Sequence, residues 1–394
     1  MPLGRMAQGV REAWEVPRDL LLGRYPAFVT GGALPRGHVP VFVFHSVEPE
    51  SFERQLRHLA VNGYVTLSGE EYLAVLTGAA TPPERAVLLT FDDGRGSVWG
   101  VAYPLLRRRG MRGVVFLVPA RVPDAPRPGP TWEDVERGTV PAGAVLGREA
   151  ADGAFLCWAE IETLAESGVF EFHSHTLSHA RVHTGPQLAG FLTPGARHGW
   201  AAMDVPLFHA DGRDLFAHEA PLGTPLLRSE PRTSESLRYF EEPAARRACV
   251  ERVEAEGGAR FFARPDWPRR LRRLLGPVRG RYETPAEREA AIRRELLEAR
   301  RLVRERIGRE ARHLCFPWHV GGPTARRLAR EAGHVLCFSG KVPGVPIALP
   351  GGDPHAVARI GEDYLELLPG DGRLDLPAVL RRKWARRFGK AVVP

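Results

Sequence analysis

The sequence predicts an α/β chain built on a parallel sheet, either closed into a barrel or left open and doubly wound. Three observations carry this expectation: seven short runs rich in Val, Phe, Leu and Ile, helical apolar periodicity between most of them, and a length of 394 residues, which suits one large domain or two ordinary ones. The runs lie at 41–47, 86–91, 113–118, 169–174, 313–317, 334–339 and 356–360, and each reads as a buried strand. Between them, Phe52, Leu56, Leu59 and Ala60 share one helical face, residues 97–109 and 158–167 are helical in pattern, and Ile292, Leu296, Ala299 and Val303 mark a helix over 287–307. Two stretches break the alternation, 121–157 and 181–286. Rich in Pro and Gly and without a repeat, they read as insertions in one domain spanning 40–362, between an N-terminal extension over 1–39 and a basic tail over 363–394.

Composition narrows the class. Hydrophobic content of 43% and charged content of 26% are globular averages, which excludes wholesale disorder. The net charge is +8 and only Lys341, Lys383 and Lys390 are lysines, but acidic residues are interspersed throughout. The aromatics do not alternate with basic runs as in a nucleic-acid module, so no nucleic-acid partner is expected. Four separated cysteines with no C-x-x-C pair read as buried thiols in a reducing compartment. Charged residues interrupt every apolar run near the N-terminus before a signal core forms, and no run approaches the roughly 20 residues of a membrane span. These features lead to the expectation of a cytoplasmic protein. Leu380, Trp384 and Phe388 recur every fourth residue among Arg381, Arg382, Lys383, Arg386, Arg387 and Lys390. Such a face suits either peripheral contact with the inner membrane surface or docking on the domain.

In a parallel α/β sheet, chemistry belongs on loops after the carboxyl ends of strands, and several polar residues fall there. The run 86–91 ends in Asp92-Asp93-Gly94, two adjacent carboxylates that repel unless a cation is near; an Asx turn is the plainer reading. The run 169–174 leads into His175-Thr176-Leu177-Ser178-His179, an i, i+4 histidine pair able to share a metal, or two surface histidines at chance spacing. His45 and Trp318-His319 fall at two further strand ends. His173 and His183 are left out, His173 on the expectation that it alternates away from His175 along the strand.

These residues resemble the polysaccharide deacetylases of carbohydrate esterase family 4. VFVFHSVEPESFERQLRHLAVNGY looks like that family's opening segment, LLTFDDG like its first motif, HTLSH like its H-[ST]-x-x-H motif and HLCFPWHVGG like its proline-aromatic motif. The resemblance implies a distorted (β/α) barrel of about seven βα units with a long insertion. It implies a divalent metal ion, zinc first with cobalt or nickel as alternatives, held by Asp93, His175 and His179. Asp92 would be the general base. The resemblance does not carry the acid over: the candidate donor is His319, with His355 second, His45 is read as a further catalytic group or a satisfied structural histidine, and Pro317 and Trp318 as substrate contacts. The implied activity is removal of N-acetyl groups from an amino-sugar in a glycan or lipid-linked precursor. Two features depart from the family pattern. Cys315 and Phe316 stand where many members have an arginine tethering the catalytic aspartate, and the late Leu-x-His motif that supplies the acid is not recognisable. Two other readings therefore stand beside it: a glycan-binding protein on the same fold without turnover, and an amidase for a non-sugar N-acyl substrate.

Overall fold

The computed structural model describes residues 16–150, 153–342 and 346–387. Seven parallel strands form its centre: β1 (Val41–Phe44), β2 (Ala86–Phe91), β3 (Gly113–Leu117), β4 (Phe170–Ser174), β5 (His313–Cys315), β6 (Leu336–Lys341) and β7 (Val357–Gly361). Each pairs with the next, and β1 pairs with both β2 and β7, so the sheet closes into a barrel. A two-residue strand, Val65–Thr66, adds to the start of β2. All seven apolar runs of the sequence are barrel strands, and the closed alternative is the one adopted.

Alternation along each strand divides the apolar residues into two sets. Val41, Leu88, Val114, Phe116, Cys315, Phe338 and Val357 fill the barrel interior. Phe42, Leu89, Val115, Phe172 and Ile360 face outward into the helical layer. This layer includes α1 (Pro49–Val61), which buries Phe52, Leu56 and Leu59, and α2 (Gly69–Leu76), started by a Ser68–Glu71 capping box. The longest helix, α3 (Pro285–Ile307), is framed by a Thr284–Glu287 capping box and ends at Gly308, whose φ of 66° lets the chain turn away. It buries Ile292, Leu296, Ala299 and Val303, the face expected from the sequence.

The segment 181–286 folds over the carboxyl end of the barrel. Its main element is an antiparallel pair, Arg181–Phe191 with Pro225–Pro231, and it carries two small apolar clusters of its own, around Phe208 and Phe261. Before the barrel, Phe28 and Val29 join the same core as Phe42; after it, Tyr364, Leu365 and Val379 do so as well. The C-terminal helix, α4 (Leu376–Arg387), is held on the domain by Val379 and by Arg382–Glu366 and Lys383–Asp363 ion pairs. Trp384 on that helix is 48% exposed, while Phe388 lies outside the described residues. No described helix is long and apolar enough to cross a membrane. Among the described residues all four cysteines are free and buried.

Candidate functional site

At the carboxyl ends of the strands, β2 delivers Asp92 and Asp93, β4 delivers His175 and His179, β1 delivers His45 and β5 delivers Trp318 and His319. All of them line one cavity of about 310 Å³. Trp200, Met203 and Asp204 from the 181–286 segment complete its wall, together with Arg95.

The Asp93 Oδ1 atom lies 3.5 Å from His175 Nε2 and 3.6 Å from His179 Nε2. Zinc-ligand bonds of about 2.0–2.1 Å place neighbouring tetrahedral ligand atoms about 3.4 Å apart, so this spacing suits one shared ion. The tautomer suits it too. His175 Nδ1 faces the Cys315 carbonyl at 2.7 Å, and a carbonyl only accepts, so the ring proton sits on Nδ1 and the Nε2 lone pair is free for a metal. Arg95 donates to the other Asp93 oxygen, Oδ2, at 3.1 and 3.2 Å while its guanidinium stacks 3.3 Å from the Trp200 ring. Burial raises the Asp93 carboxyl, but His179, His45 and Arg95 outweigh it and hold it at about 2. Burial keeps His179 at about 3, so both groups are in the ligand-ready charge state at neutral pH. The donor set therefore fits a divalent ion.

The loops that achieve this are strained. Asp93, Thr176, His179, Trp318 and His319 all have positive φ, between 51° and 69°. This region costs non-glycine residues roughly 1–2 kcal/mol each and persists only where surroundings enforce it. Glu295 on α3 is one enforcer: its carboxylate accepts from the Ser178 amide at 2.9 Å and the Ser178 hydroxyl at 2.7 Å, and its carbonyl accepts from Leu177. Trp318 is another, its ring 4.0 Å from that of His179.

Asp92 is 2% exposed and gripped by Arg359, whose two terminal nitrogens donate to its two oxygens at 2.7 and 2.6 Å. Arg359 also donates to Thr90 and to the Cys315 sulfur. Burial pushes the Asp92 carboxyl upward, yet the Arg359 charge and bonds, aided by His175, hold it well below the usual carboxylate range. The tethering arginine thus comes from β7 and not from the proline-aromatic motif, where Cys315 leaves room for it. This corrects the expectation of a missing tether.

Three other placements differ from expectation. His355 lies at the opposite end of the barrel, its Nε2 on the His334 carbonyl at 2.9 Å, so it is no acid candidate for this site. Pro317 is buried at the start of a one-turn 3₁₀ helix and does not line the cavity, so its expected substrate contact is withdrawn; Trp318 does line it. His173 faces the same interior as His175 because residues two apart on a strand share a face; the expected alternation was misjudged. Arg359, Arg95, Trp200, Met203 and Asp204 were not singled out from the sequence. For Arg359 a signal existed, an arginine inside an apolar strand run.

The polysaccharide deacetylase family model matches residues 79–189. YxkH, a Bacillus subtilis (strain 168) protein named for polysaccharide deacetylases, is 34% identical over 88 residues, covering 20% of this chain and 32% of its own. The poly-β-1,6-N-acetyl-D-glucosamine N-deacetylase of Escherichia coli (strain K12) is 31% identical over 231 residues, 56% of this chain and 31% of its own. The chain thus spans about a third of the length of these curated relatives. A solved de-N-acetylase from Aggregatibacter actinomycetemcomitans aligns over 88% of this chain and 99% of its own, at 16% identity and a TM-score of 0.49. The D-D-G and H-T-L-S-H motifs, which meet at one end of the seven-stranded barrel, both lie inside residues 79–189, the segment that matches the polysaccharide deacetylase family.

Proposed function

We propose that the protein is a metal-dependent N-deacetylase acting on an N-acetylated amino-sugar within a glycan or lipid-linked glycan precursor. The observation that carries this reading is the juxtaposition of Asp93, His175 and His179 around one point with an ionised Asp92 beside them, its Oδ2 3.9 Å from His175 Nε2. The substrate class is taken from the family and from the name of the Escherichia coli relative.

In this reading Asp93, His175 and His179 hold the ion, which when bound supplies a Lewis acid that acidifies water and polarises the acyl carbonyl. Asp92 accepts the proton of the attacking water. Arg359 fixes both of its oxygens in place and keeps it in the base form, while lowering its proton affinity. A proton taken by so weak a base is readily passed on to a departing amine.

His319 and His45 face the cavity in different fields. The Nδ1 of His319 lies 3.3 Å from an Arg359 nitrogen, and arginine only donates, so the ring proton sits on Nε2. Burial and then Arg359 hold His319 well below its ordinary value, so it acts as a neutral hydrogen-bond donor to the leaving nitrogen or the forming oxyanion. Burial also lowers His45, but Asp93 and Asp92 pull it the other way. His45 is therefore the better carrier of a surplus proton.

The Arg359 tether answers one of the two departures behind the non-catalytic reading, the other being the unrecognised acid motif. Purified protein incubated with acetylated oligosaccharides should release amine in a metal-dependent way; sugar binding without amine release at any metal loading would restore that reading. A cytoplasmic setting with lipid contact through α4 is proposed on Trp384 and Arg381, which are exposed on that helix. Salt-sensitive sedimentation with anionic vesicles, lost on Trp384→Ala, is the expected result, and no sedimentation at low salt would contradict it.

A further inference from the structure

A second group of metal-ligating side chains lies inside the same barrel, toward its amino end. The inward face of β4 carries Glu171 and His173 below His175, and β5 begins with inward-facing His313. One ligand atom from each of these three residues falls within 4.8 Å of the others. His173 Nε2 is 3.6 Å from Glu171 Oε2, and the His173 and His313 ring centroids are 4.1 Å apart. Glu70, at the start of α2, reaches within 3.6 Å of His313 Nε2.

Three of the four ring nitrogens here have no hydrogen bond, while His173 Nδ1 accepts a long 3.4 Å bond from the His313 amide. His313 is fully buried with neither ring nitrogen hydrogen-bonded, and His173 Nε2 is likewise buried and unpaired. Unsatisfied buried nitrogens are uncommon in folded proteins and call for a cause. Burial holds His313 far below its ordinary value, which leaves it neutral, the form that ligates. The helix start leaves the space open by using glycine. A Cβ on Gly69 would stand 2.6 Å from His313 Nε2 and 3.2 Å from Glu171 Oε2, while the Gly69 amide orients Glu171 through a 2.9 Å hydrogen bond. Glu70 and Glu171 are partly exposed, so the group is open to solvent on one side.

We propose that Glu171, His173 and His313, with Glu70 as a fourth ligand, form a second site for a divalent transition ion of the zinc class, separate from Asp93, His175 and His179. Two imidazoles and carboxylate oxygens form a donor set that zinc takes readily. Ligation through His173 Nε2 moves that ring's proton to Nδ1, so the long 3.4 Å contact from the His313 amide is given up. The ion would tie the start of α2 to the starts of β4 and β5, a structural and not a catalytic role.

The test is zinc stoichiometry on the full chain after chelation and re-addition of zinc alone. Wild type should bind two equivalents. Asp93→Ala should keep one, and Glu171→Gln and His313→Gln should each lose one equivalent while retaining amine release. Zinc should raise the unfolding midpoint of Asp93→Ala but not of Asp93→Ala/Glu171→Gln. Anomalous diffraction at the zinc edge on wild-type crystals, which needs no variant to fold, should give a peak between His173 and His313. A single equivalent in wild type, no such peak, or a second equivalent surviving in both Glu171→Gln and His313→Gln would overturn the proposal. The stoichiometry, unfolding and diffraction readouts do not depend on whether the other site deacetylates a sugar; only the retained amine release rests on that reading.

Discussion

Replacing Arg359 by methionine removes the only cation that touches both oxygens of Asp92 among the described residues. Both partners are at most 2% exposed, and deleting one member of a buried ion pair leaves the other charge uncompensated, at about 3–5 kcal/mol. Asp92 has one escape, to take up a proton. The sign follows from its depressed native value. The pair contributes stability above the unfolded carboxyl pKa of about 3.9, and loses it as pH falls through the lower folded value. In Arg359→Met the Asp92 pKa rises, so at neutral pH the stability term vanishes and the base form is depleted. The expected result is a loss of kcat/KM on the order of 10²–10⁴, the usual contribution of a positioned general base. The acid limb of the pH–rate profile should also move to higher pH. Urea unfolding should show the stability loss, and Arg359→Met/Asp92→Asn should recover stability but not turnover. Arg359→Lys should rescue poorly, because a point ammonium cannot bond both oxygens in the same fork. An unchanged acid limb together with near-normal turnover in Arg359→Met would refute the tether.

Glu295→Ala should release the His175–His179 loop and weaken zinc affinity by about 10–100-fold, as loss of outer partners of metal ligands commonly does; equilibrium zinc competition measures it, and unchanged affinity would remove Glu295 from this role. His45→Ala should lower kcat more than His319→Ala, with zinc content retained in both. The reverse order in amine-release assays would return the surplus proton to His319. Trp318→Ala should weaken zinc binding as well as substrate affinity, since its ring packs on His179; an effect on KM alone would show that it serves the substrate only.

The barrel was legible because parallel strands buried on both faces leave near-continuous apolar runs such as VFVF and GVVFLV, which stand out from the arginine-rich helices between them. The site was legible where its groups sit next to one another in sequence, as Asp92-Asp93 and His175 through His179 do. What escaped depends on parity and distance. Arg359 reaches Asp92 across 267 positions, and only its inward parity on β7 aims it there. His173 and Glu171 were passed over for the same reason, since period 2 along β4 puts them in line with His175. Trp200, Met203 and Asp204 come from a Gly- and Pro-rich stretch whose path over the barrel is set by its hairpin pairing with residues 225–231, which no local motif announces.

The most direct test of the central claim is an anomalous difference map from zinc-soaked crystals of the wild-type chain. A peak lying about 2.0–2.1 Å from Asp93 Oδ1, His175 Nε2 and His179 Nε2 together, retained in Asp92→Asn and absent in Asp93→Ala, is the result expected. Full zinc loading with no ion in contact with all three side chains would contradict it.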